Sequence, residues 1–277
     1  MKLATVLREI AKPQEERSPE FDFDLKGELH EFLISPEARD IRSTGSFPPS
    51  QMQACKRALA YNYLKAPVND VHIEPRLAIT FELGHYIHER FQDMFERMAK
   101  RKSWLFIPEM RIIRTLNPWF VSGRCDGVFH VDLDTWKERK EAIEIKSIHK
   151  DGFNRLYDRP LWEHQYQGNI YQGLLGTPRM HYLYVCKDNS QIKIFAVPFD
   201  RELFDSAMEV IERILLKLQD WRLPKRITPD CKDPQCKFRD VCWSGATVET
   251  LLEDNPEKRR ELREWEPVIL YRKKKAA

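Results

Sequence analysis

Close to residue 100 the spacing of apolar side chains changes, and this change limits the folds open to the chain. Before it, Leu83, Ile87, Phe91, Met94, Phe95 and Met98 recur every three or four residues, which predicts a long helix over Leu77 to Ala99. After it, the segments WLFIPEMRII, FVSGRCDGVFHVDL, EAIEIKSI, MHYLYVCK and QIKIFAVPF read as strands, rich in Val, Ile, Phe and Tyr. Lys187 to Ser190 reads as the hairpin turn between the last two. Helical patterns at 160–176 and 201–223 interrupt the strands. The order is helices, three strands, helix, two strands, helix. It lacks the strict alternation of a doubly wound parallel sheet and predicts an α/β domain, a mixed central β-sheet flanked by helices.

The remaining sequence divides around this body. Residues 1–45 form a polar lead-in with one short helix at Leu25 to Leu33, residues 46–245 the main domain, and residues 246–277 a charged C-terminal tail that carries a mobile RKKK. Ser50 stands ready to cap a helix through QMQACKRALAYNYL. With 42% apolar and 32% charged residues in 277, the chain can bury a large core and is not globally disordered. No run of 18 apolar residues suggests a membrane helix, and the start turns charged too early for a secretory signal, so a cytoplasmic location is expected. The net charge is only +3, so nucleic-acid binding has to come from local clusters. Three stretches interleave basic and aromatic residues: RKSWLFIPEMRIIR, FNRLYDRPLW and REWEPVILYRKKK. Each also reads as a solvated face with core aromatics.

EAIEIKS carries the most chemistry. In a strand, Glu144 and Lys146 share one face and Ile143 and Ile145 the other. A cross-strand ion pair on a solvated face is the plain reading of Glu144 and Lys146. Asp126, in GRCDGVF beside Gly123 and Gly127, adds a second carboxylate from a neighbouring strand. Together they make a hard, oxygen-rich site suited to Mg²⁺ or Mn²⁺. Two helices carry further candidates. Gly84 and His88 lie one turn apart, as do Gln167 and Tyr171. His88 can add an imidazole, or simply pack. Gln167 and Tyr171 can hold a phosphate or the lysine, or belong to an ordinary amphipathic helix.

The six cysteines, in a reducing compartment, suit metal ligation or packing better than disulfides. Cys231, Cys236 and Cys242 crowd a Pro-containing segment of little periodicity, and Cys55 supplies a fourth thiol. Four cysteines can hold zinc or an iron–sulfur cluster, and the paired CxxC knuckles that favour zinc are absent. Cys125 and Cys186 lie in apolar strands and read as small core residues.

Over about residues 45 to 245, four motifs in order resemble the RecB-like branch of the PD-(D/E)XK nuclease superfamily. They are G-x-x-x-H at Gly84 to His88, G-x-x-D-G at Gly123 to Gly127, E-x-K at Glu144 to Lys146 and Q-x-x-x-Y at Gln167 to Tyr171. The resemblance implies a restriction-endonuclease-like core. His88, Asp126, Glu144 and the carbonyl of Ile145 would then hold Mg²⁺ or Mn²⁺. Asp126, Glu144, Lys146, Gln167 and Tyr171 would form the catalytic set. The basic residue that often precedes the Gln in that family is matched only by His164. One upstream cysteine with a C-terminal triplet is similar to the iron–sulfur subgroup, which includes AddB-type subunits and the nuclease that accompanies CRISPR adaptation. Cys55, Cys231, Cys236 and Cys242 would then bind a 4Fe–4S cluster, with zinc the alternative, although the first spacing in the triplet is wider than the subgroup's.

The implied activity is metal-dependent hydrolysis of DNA, as an exonuclease on single-stranded or end-containing substrates. A structure-specific endonuclease on the same fold, a noncatalytic DNA-binding subunit of a recombination or CRISPR-type complex, and a zinc-bearing nucleic-acid module are the rivals. No membrane partner is expected, and a homo-oligomer is left open. The chain has no P-loop, which argues against helicase activity. Its short, separate form suggests a phage or mobile element.

Overall fold

The computed structural model describes residues 24–35, 42–69, 74–113, 117–131, 139–231, 233, 235–253 and 255–276. Its backbone separates into two compact units, one of Met1–Asp40 with Ile73–Ile79, the other of Ile41–His72 with Thr80–Ala277. In the first, the described residues form helix α1 (Leu25–Ile34), close to the span expected, and the opening residues of α3 (Pro75–Arg101).

The second unit is built on one five-stranded sheet. Its strands are β1 (Leu105–Ile112), β2 (Gly123–Val131), β3 (Arg139–Ile148), β4 (Arg179–Cys186) and β5 (Ile192–Pro198), ordered β1-β2-β3-β4-β5. β1, β2 and β3 pair antiparallel, β3 and β4 pair parallel, and β5 returns antiparallel to β4. A parallel pair needs a crossover. Here it is made by α4 (Lys150–Asn154) and α5 (Trp162–Leu175). The mixed sheet flanked by helices is the α/β class expected. The turn at 187–190 also forms, closed by Ser190 N–H donating to Cys186 O at 2.9 Å.

Period two along β3 sends Ile143 and Ile145 to one side, where Ile87, Phe91 and Phe95 of α3 pack against them with Phe106, Phe129, Leu183 and Val185. Ala142 faces the other core, with Cys125, Tyr171, Met180, Tyr182, Tyr184 and Cys186. Both strand cysteines are thus buried core residues, as read from the sequence. A third cluster joins α2 (Lys56–Tyr63) and α6 (Arg201–Gln219) to the C-terminal helices α8 (Val248–Glu253), α9 (Pro256–Glu264) and α10 (Ile269–Ala276). The remaining short helix, α7 (Arg239–Trp243), lies in the cysteine segment.

Two local expectations differ from what is seen. Ser50 does not cap a helix. Pro49–Gln51 forms a 3₁₀ turn, with Pro48 before it fixed in an extended conformation, and α2 begins only after Cys55. The charged stretch after 246 is helical and anchored. Leu252, Leu262, Trp265 and Ile269 are buried in the third cluster, and α10 runs through the whole of RKKK.

Candidate active site

The candidate site lies where β2 and β3 part. Their pairing ends at Gly127 and Ile143, so Asp126 and Glu144 follow opposite each other beyond the last paired rung. The Asp126 carboxylate enters the opening, and its Oδ2 accepts the Ile145 N–H at 2.6 Å. Gly127 makes the approach of β1 tolerable there, since a Cβ would fall 2.2 Å from Phe106 Cζ.

From α3, His88 brings Nδ1 to 3.5 Å from Asp126 Oδ1. One turn on, Gln92 is buried and donates to the Asp126 carbonyl. From α5, Gln167 Nε2 donates to Glu144 Oε1 at 2.7 Å. Lys146 Nζ lies 2.7 Å from the same oxygen and donates to Gln167 Oε1 at 3.3 Å. The helix reaches this close because residue 168 is Gly, where a Cβ would meet Tyr182 Oη at 2.2 Å. Tyr171 lies buried one turn beyond Gln167, with its phenol held well above the ordinary range by burial. His88, Asp126, Ile145, Glu144, Lys146, Gln167 and Tyr171, scattered over 84 positions of sequence, are thus gathered at one end of the sheet.

Their charges are unequally satisfied. Glu144 is almost fully buried, and its Oε2 has no hydrogen-bond partner. Burial first, then the Asp126 carboxylate, push its pKa up to about 7, while Lys146 and His88 pull it down. Burial pulls Lys146 down, but Glu144 and Asp126 outweigh it, so its ammonium is held above the usual range. His88 behaves alike: burial opposes its charge, and Asp126 more than restores it. His164 goes the other way. Burial and the nearby Lys146 lower it to about 4, and its Nδ1 lies 2.8 Å from Tyr184 Oη. At neutral pH it is an uncharged ring packed on a tyrosine.

The donor set fits a divalent cation in kind, with two carboxylates, an imidazole and one buried oxygen lacking a partner. Among the described residues no three His, Cys, Asp or Glu side chains form a ready-made metal cage.

The cysteines show a similar partial gathering. Cys55 immediately precedes α2, and both it and Cys242 lie near enough to Cys236 to raise its pKa, after the larger effect of burial. Arg226 donates to Cys242 Sγ at 3.3 Å and stacks on Trp243, whose indole N–H donates to the Cys231 carbonyl at 2.9 Å. All four thiols are half-buried and unbridged. Their sulfur chemistry suits zinc or an iron–sulfur cluster.

No protein-family model matches the chain, and no curated protein matches it in sequence. Among solved structures, SSO0001 is similar with a TM-score of 0.47 and 16% identity, over 82% of this chain and 100% of that one. An alkaline exonuclease from Laribacter hongkongensis, LHK-Exo, is similar at 0.46 and 13%, over 64% of this chain and 90% of its own. Its complex with dAMP gives 0.46 and 13%, over 70% and 93%. At this remoteness the function has to be read from the site itself.

Among the basic–aromatic stretches, the middle one exposes two of its three aromatics, Tyr157 at 86% and Trp162 at 57% accessible, while its Phe153 is buried. Trp265, in the third, is buried, and Trp104, in the first, packs on the α3-side core. Sequence reasoning missed Gln92 and Glu109. Their signals were slight: Gln92 falls four residues after His88, and Glu109 interrupts an apolar strand.

Proposed function

We propose that this chain is a metal-dependent DNA nuclease acting as an exonuclease on single-stranded or end-containing DNA. One observation carries the reading: Asp126 and Glu144 face each other at the parting of β2 and β3, with Lys146 on Glu144 and with Glu144 Oε2 buried and unbonded. A buried carboxylate left half-unsatisfied beside a second carboxylate is unfavourable for folding alone. It becomes reasonable where a cation is to be bound.

Asp126, Glu144 and His88, with the Ile145 carbonyl as the resemblance implies, would hold Mg²⁺ or Mn²⁺. Such an ion offsets phosphate charge and lowers the pKa of bound water. The chain's own groups do the rest. Lys146, kept charged by the two carboxylates, orients a water or stabilises charge developing on the phosphate. Gln167 fixes both Lys146 and Glu144 through opposite ends of one amide, so the lysine does not swing freely. Tyr157 and Trp162, exposed just before α5 and at its start, offer faces on which unpaired bases can stack.

The test is degradation of 5′- and 3′-labelled single- and double-stranded DNA with Mg²⁺, Mn²⁺ or chelator. Stepwise loss from an end, dependent on metal and abolished in Lys146→Ala, is expected. Cleavage by Lys146→Ala at the wild-type rate would remove the assignment.

We further propose that Cys55, Cys231, Cys236 and Cys242 hold a structural 4Fe–4S cluster. The nearness of Cys55 and Cys242 to Cys236 across the sequence supports this. Iron and sulfide content with a visible absorption spectrum, after anaerobic purification, decides between the cluster, zinc and neither. Iron retained in full by Cys55→Ala would exclude the four-cysteine site.

A further inference from the structure

Glu109 lies in β1 between the Pro108–Gly127 and Met110–Cys125 pairs, and so falls opposite Asp126. With Glu144 across the next gap, three acidic residues share one row across three strands. Glu109 is also out of place in its strand. Its φ is +50°, in the left-handed region that residues other than glycine rarely enter, and least of all inside a strand. Backbone strain of this kind persists where surrounding contacts over-determine it.

The contacts here are specific. Gln92 Nε2 donates to Glu109 Oε1 and to the Asp126 carbonyl, each at 2.8 Å, which uses both hydrogens of its amide. Arg124 Nε lies 3.3 Å from Glu109 Oε2 and balances the charge. The Asp126 carboxylate is meanwhile held by Ile145 N–H and approached by His88. Asp126 is therefore gripped at both its side chain and its main chain. The second grip comes from the same face of α3 that carries His88, one turn away.

We infer that Gln92 and Glu109 are positioning residues that fix the Asp126 main chain relative to α3, so that Asp126 and His88 present their donors together. Neither is a catalytic residue. Glu109 orients the Gln92 amide, and the strained turn of its backbone is what aims its carboxylate at that amide. This inference rests on the nuclease reading of the same site, in that the donors it aligns are those proposed for the cation.

The experiment measures Mn²⁺ binding by electron paramagnetic resonance of the free ion and, separately, DNA cleavage under saturating metal. Gln92→Met keeps the side-chain length and removes the amide. It should weaken Mn²⁺ binding about tenfold, as loss of an outer-sphere partner does, and lower kcat about as much. KM for DNA and thermal stability should stay near wild type. Glu109→Ala should follow it. Glu109→Gln, whose amide oxygen can still accept from Gln92, should retain most of both. Mn²⁺ affinity within twofold of wild type in Gln92→Met would overturn the inference, whatever the cleavage. A wild-type chain that binds Mn²⁺ and loses it in Gln92→Met, yet cleaves no DNA, would uphold the positioning role and sink the nuclease reading.

Discussion

Two carboxylates in this molecule are buried to the same degree and satisfied to different degrees. Glu212, in α6, is fully buried, and both its oxygens are engaged. Oε1 accepts from Trp119 Nε1 at 2.9 Å and from the main-chain N–H groups of Val268 and Ile269 at 2.8 Å, and Oε2 accepts from Leu270 N–H at 2.9 Å. Those amides are the ones a helix leaves unpaired at its start, so Glu212 caps α10 from another element. Glu144 has one oxygen shared by Lys146 and Gln167, the other bare, and a second carboxylate opposite. Burial alone therefore says nothing about role. What separates the two acids is whether their acceptors are filled by the fold.

That contrast can be broken by exchanging consequences. Glu212→Ala should destabilise the protein most, by about 3–5 kcal/mol, because it strands several buried donors together. Urea denaturation followed by far-ultraviolet circular dichroism measures this. Cleavage per folded molecule should be untouched, and a loss of activity without a loss of stability would reverse the roles.

Glu144→Gln should do the opposite. Its rate should fall roughly a hundredfold or more, while the metal-free protein unfolds no more easily than wild type. The sign follows from the raised pKa. Glu144 near 7 in the fold, against 4.5 as its ordinary value, binds its proton more tightly when folded. Its contribution to stability is full below about 4.5 and is lost as pH rises through about 7. In chelator, the stability of Glu144→Gln relative to wild type should thus be greatest above pH 7 and should shrink toward pH 4.5. A difference independent of pH would show that Glu144 is not under this stress.

The smallest effect belongs to His164, kept neutral on Tyr184. Its folded pKa, near 4, lies below its ordinary 6.5. Its contribution is present above 6.5 and is lost as pH falls toward 4. Nuclear magnetic resonance titration of the ring should show no protonation between pH 7 and 5. An ordinary midpoint near 6.5 would place the ring in solvent.

The sheet and its acids were legible because their signals are local. Period two fixed the faces of Glu144 and Lys146, and period three-to-four put Gln167 and Tyr171 on one side of α5. Cys125 and Cys186 announced burial by their apolar neighbours. What was hidden depends on distant partners. The anchors Leu262, Trp265 and Ile269 are outnumbered locally by Arg, Lys and Glu. Their order comes from α6, which supplies Glu212 to α10 and Gln219 to the carbonyls of Leu262 and Trp265. Ser50 looked like a cap because its type is right, but Pro48 and Pro49 set the backbone first. Gln92 and Glu109 gain meaning only when β1 and α3 are brought together in space.

Lys258, in α9, is wholly buried, with its ammonium on the Gly45 carbonyl and over the ring of Tyr63. Lys258 lies 213 positions after Gly45 in sequence. By contrast, Asp126, Glu144 and Gln167 span a short run of chain. In a chain made from its N-terminus, the acidic row and its helix can assemble while α9 is still within the ribosome, but the cluster around Tyr63 cannot close until α9 has emerged. Synthesis then passes through a stage in which the sheet carries its acids while α2 and α6 still expose the apolar surface that α9 and α10 will cover. Chaperones or early aggregation would act at that stage, and the last helices decide how long it lasts.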